Sequence, residues 1–144
     1  MFAWHQSADA LKKLIPPWEP VEVEKAPASL ADGETAVLML RLGPMKLRWV
    51  ARHRDFMDRG DEGGEFTDEQ VSGPFASWVH RHIVSRVGPA RCVLEDRIEY
   101  KLIGGRLAEF LAGWYVRRKL VRMFEYRHKA TRAAVCGQVA DPGG

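Results

Sequence analysis

The chain has 144 residues, 46% of them apolar and 28% charged, with a net charge of +3. That is one domain's length with enough apolar material for a continuous core, and it excludes disordered and fibrous classes. The longest apolar runs, such as Ala36 to Leu40, fall far short of the roughly 18–20 residues that a membrane-spanning helix needs. Met1-Phe2-Ala3-Trp4-His5 has neither the basic nor the apolar region of a secretory signal, and two cysteines, Cys92 and Cys136, are too few and too differently placed for a disulfide framework. A cytoplasmic location is the expectation.

In chain order, residues 2–15 place Phe2, Ala3, Leu11, Leu14 and Ile15 at roughly helical spacings, which predicts a short amphipathic helix ended by Pro16-Pro17. From Val21 to Gly104 the pattern changes to period two, broken by turn signals at Asp32-Gly33, Gly43-Pro44, Gly60 to Gly64, Gly73-Pro74 and Gly88-Pro89. Strands are expected near 20–25, 34–42, 45–56, 64–72, 75–87 and 90–102. Their connections are too short for parallel crossovers, so an antiparallel meander follows. After Gly104-Gly105, the residues Leu107, Phe110, Leu111, Trp114, Leu120, Val121 and Phe124 recur at threes and fours, predicting an amphipathic helix of roughly 25 residues. Eight basic residues from Arg106 to Arg132 face only Glu109 and Glu125 in that segment. The domain is expected to span 1–135, with 136–144 as a flexible tail. Helix, meander and long helix make an α+β domain in which the sheet curls around the last helix, leaving a concave space of the kind where small molecules bind.

Strand alternation predicts which side chains face that space. Trp49 and His53 share one face of their strand, as do Phe66, Asp68 and Gln70 on the next. Trp78, His80 and His82 follow, then Leu94, Asp96, Ile98 and Tyr100, with Phe110, Leu111 and Trp114 supplied by the helix. The face is apolar and aromatic but includes carboxylates and imidazoles, which are costly to bury unpaired. One reading is an internal carboxylate–histidine network that fixes strand register. A second makes the same groups orient a ligand in an apolar pocket. A third is chemistry. A histidine near a carboxylate can act as a general base, and His80-x-His82 on a strand sets two imidazoles about 7 Å apart on one face, within reach of one ion with Asp68 or Asp96. That spacing is unspecific, and no nucleophile, phosphate-binding or dinucleotide motif accompanies it. The expectation is no metal and no cofactor, with the question of a reaction left open and His80, His82, Asp68 and Asp96 as the catalytic candidates should one exist.

Asp68-Glu69-Gln70-Val71-Ser72-Gly73-Pro74-Phe75, followed by Trp78-x-His80-x-His82, resembles a bacterial branch of the SRPBCC superfamily, also called START-like or polyketide-cyclase-like. Trp4-His5 through Leu14-Ile15-Pro16-Pro17-Trp18 is similar to that branch's first helix and its exit. Glu95-Asp96-x-Ile98-x-Tyr100, Val116-Arg117-Arg118-Lys119-Leu120 and Phe124-x-Tyr126-Arg127 are similar to its last strand and long helix, so that the resemblance runs over residues 2–130. It implies a helix-grip fold, a curved antiparallel sheet wrapped around a long C-terminal helix, with a cavity for a small hydrophobic or lipid-like ligand. It also implies an epimerase-like partner protein, because similar domains occur fused to epimerase-like proteins labelled cell-division inhibitors. Related domains begin with a β-strand that lies against the last one. Here Met1 stands where that strand should end, so the strand near 90–102 is expected to have an unpaired edge, and adding an upstream strand should raise the melting temperature. Two alternative functions are a cyclase- or hydratase-like enzyme using a buried His/Asp pair, and a basic helix face that meets nucleic acid or anionic membrane, although no specific nucleic-acid motif is present.

Overall fold

Period-two patterning becomes a single antiparallel sheet in the computed structural model, which describes residues 1–7 and 9–137. Strands β1 (Val21–Lys25), β2 (Thr35–Leu42), β3 (Met45–Asp58), β4 (Gly63–Ser72), β5 (Phe75–Gly88) and β6 (Arg91–Leu102) pair in sequence order to make an open six-stranded sheet. Every expected strand is present, within two residues at each end. β1 and β6 are the sheet's edges, and β6 pairs with β5 alone among the described residues. With the long helix α3 (Gly105–Gly137), the molecule is α+β.

The predicted helix over 2–15 is instead two short ones, α1 (Phe2–His5) and α2 (Ala10–Lys13). α1 by itself reaches two separate cores, and α2 joins the second of them. Phe2 packs with Leu30, Phe66 and Val84 against the sheet, whereas Trp4, Ala10 and Leu14 pack against Ala130, Ala134 and Val135 of α3. Gln6 and Ser7 lie between, and the Ser7 N–H bonds back to the Trp4 carbonyl, closing the first turn. β4 can start beneath Phe2 because its first residues have no side chains. A Cβ on Gly63, whose φ is 114°, would run into the Val84 carbonyl oxygen, and one on Gly64 would run into the Phe2 ring.

α3 continues to Gly137, so two residues of the predicted tail are helical, and the remainder, 138–144, lies outside the described residues. The N-terminal segment holds its later turns. Trp18 meets Tyr126 edge-on with ring centres 5.2 Å apart, Arg122 lies over the Trp18 ring, and Lys119 pairs with Glu19 at 3.0 Å.

The early turns correct the sequence reading. Phe110, Leu111 and Trp114, expected against the sheet, are 82%, 64% and 67% exposed. At 100° per residue, Leu107, Phe110, Leu111, Trp114 and Val121 form one stripe, while Val116, Leu120, Met123, Phe124 and Arg127 form another on roughly the opposite face. Only the second turns inward. The sequence pattern merged two stripes, because Phe124 falls three residues from Val121 of the first and four from Leu120 of the second.

Candidate functional site

Four adjacent strands place the polar groups of the inner face. Register sets His53 on β3 opposite Asp68 on β4, Asp68 opposite His80 on β5, and His82 opposite Asp96 on β6. Residues directly opposite share a face, so the alternation that buries Phe66 and Trp78 also brings these five together.

They form one connected network. Asp68 Oδ2 accepts a hydrogen bond from His82 Nε2 at 3.0 Å, and Asp68 Oδ1 lies 3.0 Å from His53 Nε2. The other nitrogen of His53 donates to the Ser29 carbonyl at 3.1 Å. Asp96 Oδ1 accepts from His80 Nε2 at 2.8 Å and lies 3.0 Å from His82 Nδ1, while Asp96 Oδ2 accepts from His128 Nε2 of α3 at 2.6 Å. The His80 and His82 rings sit 3.7 Å apart, with Phe66 stacked on His82 at 4.1 Å and Phe124 edge-on to His80. His5 completes the set, its ring 6.4 Å from that of His82 and its Nδ1 on the Met1 carbonyl. All five histidines of the sequence thus belong to this region.

Burial and pairing pull the charges in opposite directions. Burial works to raise the Asp68 carboxyl, but hydrogen bonds from His53 and His82 outweigh it and hold the group well below the usual carboxylate range. Asp96 behaves likewise, burial being overcome by His80 and His82. Burial disfavours charge on His82 too, yet hydrogen bonds to both carboxylates raise its pKa above the ordinary imidazole value. His80 goes the other way, to about 4, because burial and the neighbouring His82 charge exceed what Asp96 returns. His5 is also lowered to about 4, chiefly by burial. Arg127, half-buried on α3, is lowered by burial and partly restored by Asp96 and Asp68. Burial thus favours the neutral forms of His80 and His5, whereas the two carboxylates favour charge on His82 and Arg127.

The network borders a cavity of about 380 Å³ between the sheet, α3 and the N-terminal segment. Its walls include Leu14, Leu38, Trp49, Trp78 and Leu120, with Asp68, His80, His82 and Arg127 as polar groups. Of the predicted ligand-contacting residues, Trp49, Phe66, Asp68, Trp78, His80 and His82 line it. The others do not. Gln70 clamps the turn between β4 and β5, donating its amide N–H to the Phe75 carbonyl at 2.8 Å and accepting the Phe75 N–H. Leu94 packs on the Phe2 core. Asp96, Ile98 and Tyr100 face a separate cleft of about 300 Å³ between β6 and α3, with Phe124 and His128. Phe110, Leu111 and Trp114 line neither space. Sequence reasoning missed Arg127 and His128, although Arg127 keeps helical spacing with Leu120, Met123 and Phe124, and that signal would have placed it on the inner face. It missed the leucines of the N-terminal half as well, because their segments were read only as helix and strand.

No protein-family model, no curated protein and no solved structure matches the chain. Among the described residues no helix is long and apolar enough to cross a membrane.

Proposed function

We propose that the chain is a START-like, helix-grip protein that binds a small, largely apolar molecule with one polar end. The observation that carries this reading is the cavity: its volume falls within the range of small-molecule sites, and its apolar wall is interrupted by a compact polar group at Asp68, His80 and His82. Trp49 adds to it, since its buried indole nitrogen has no protein partner among the described residues and offers a donor to a ligand's polar atom. Native mass spectrometry of protein from its own host, with titration of an apolar fluorescent dye, tests the reading. One bound molecule per chain is expected, displaced by dye and excluded by Ala51→Trp, which fills a wall position. Protein that is empty and takes up no dye would rule the reading out.

A second reading, attachment to an anionic lipid surface, has a specific observation in its favour. Leu107, Phe110, Leu111 and Trp114 are exposed together on the first turns of α3, beside Arg106, Arg117 and Arg118. Aromatic and aliphatic side chains flanked by arginines suit the boundary between headgroups and acyl chains.

A further inference from the structure

His-x-His spacing on a strand is common and by itself specifies nothing. What distinguishes this pair is how the far side of each ring is held. His80 Nε2 and His82 Nδ1 both engage the same oxygen of Asp96, at 2.8 and 3.0 Å. That leaves His80 Nδ1 and His82 Nε2 to face Asp68 Oδ2, from which they lie 3.9 and 3.0 Å. The other oxygen of Asp68 is tied to His53, itself anchored on the Ser29 carbonyl. Each of the three residues therefore directs one donor atom inward while a second atom is fixed by an outer partner, and the three donors lie within 4.8 Å of one another. Metal-binding imidazoles characteristically give their other N–H to a carboxylate, which sets tautomer and ring orientation. Two ligands of a tetrahedral ion with bonds of about 2.0–2.1 Å stand roughly 3.4 Å apart, and the two spacings at Asp68 bracket that value. The longer one is too long for a hydrogen bond.

We propose that Asp68, His80 and His82 form a binding site for a divalent first-row transition ion of the zinc class, oriented from behind by Asp96 and His53. Two imidazoles and one carboxylate suit such ions better than magnesium or calcium, which prefer all-oxygen surroundings. All three donors line the cavity and Asp96 does not, so the coordination position they leave open faces the cavity. The site stands on its own geometry and does not depend on the cavity having an apolar occupant.

The test uses tag-free full-length protein and cobalt or zinc alone. One equivalent of Co²⁺ should produce the visible bands of a four- or five-coordinate ion, bleached by Zn²⁺. In the unmutated protein, Zn²⁺ should shift the nitrogen resonances of His80 Nδ1 and His82 Nε2 while the distal nitrogens stay protonated, a readout that needs no variant to fold. His80→Gln and His82→Gln should each weaken binding at least 10-fold. Asp96→Asn should weaken it by about 10- to 100-fold with one ion still bound at saturation. Absent cobalt bands, unmoved histidine resonances, or bands that His80→Gln leaves intact would each overturn the proposal.

Discussion

Asp96 shows how much a single side chain can organise. One of its oxygens meets both imidazoles of β5 and the other meets His128, so one carboxylate joins β5, β6 and α3. Removing one member of a buried charged set leaves the others uncompensated, and Asp96→Ala should cost about 3–5 kcal/mol in urea unfolding; a loss below ~1 kcal/mol would show that the network does not hold these elements together. The titrating groups also fix a pH window. His80 and His5 have folded pKa values of about 4, below the unfolded 6.5, so the unfolded chain binds more protons between those limits and stability falls as pH drops from 6.5 to 4. Each accounts for about 3 kcal/mol of that fall, at about 1.4 kcal/mol per pKa unit. The depressed Asp68 and Asp96 add stability that is complete above the ordinary carboxylate range and is lost at still lower pH. The raised His82 contributes below 6.5 and loses its contribution as pH climbs through its folded pKa. Thermal melts should therefore decline steadily from pH 6.5 to 4, before the carboxylates titrate, and a flat profile over that interval would contradict the buried neutral state of His80 and His5. Alternation alone placed His53, Asp68, His80, His82 and Asp96 on one face, because period two is local. It could not say which imidazole meets which oxygen, since that depends on register between strands.

Among the elements, the strands were the most legible, for each is bounded by glycine or proline turns. The helices were less so. Helical spacing in 2–15 was real, but the segment breaks at Gln6 and Ser7, and Phe2 packs on a sheet core while Trp4, Ala10 and Leu14 pack on α3, a tertiary requirement that local spacing does not report. In α3, two stripes on opposite faces were read as one, so Phe110 and Trp114 were expected against the sheet although they are exposed. The contact of α1 with β4 is testable. Gly64→Ala would push against the Phe2 ring and the Met57 carbonyl, and overpacking of this kind costs about 1–3 kcal/mol. Chemical denaturation should show that loss, partly relieved in a Phe2→Ala background where the ring is gone. Equal losses in both backgrounds would place the strain elsewhere.

For the whole molecule, composition and the order of periodicities were enough to give an α+β meander followed by a long helix. The cavity was not legible in detail, because its walls come from segments far apart in sequence, such as Leu14, Leu38 and Leu120. The exposed stripe of α3 makes a prediction at this scale. Phe110→Ser with Trp114→Ser should leave thermal stability within about 0.5 kcal/mol per site, as surface changes do, while reducing co-sedimentation with anionic vesicles. Undiminished sedimentation would remove the lipid-surface reading. The strand order has a further consequence, for the route by which the chain reaches this state. Each of the five strand pairings joins neighbours in sequence, so the sheet can assemble hairpin by hairpin with little loop-closure entropy lost at any step. The contacts of Trp4, Ala10 and Leu14 with Ala130, Ala134 and Val135 instead close almost the entire chain. Docking of the first turns onto α3 therefore closes a far longer loop than any strand pairing does, and the cavity they help to wall is complete only once these distant segments have met.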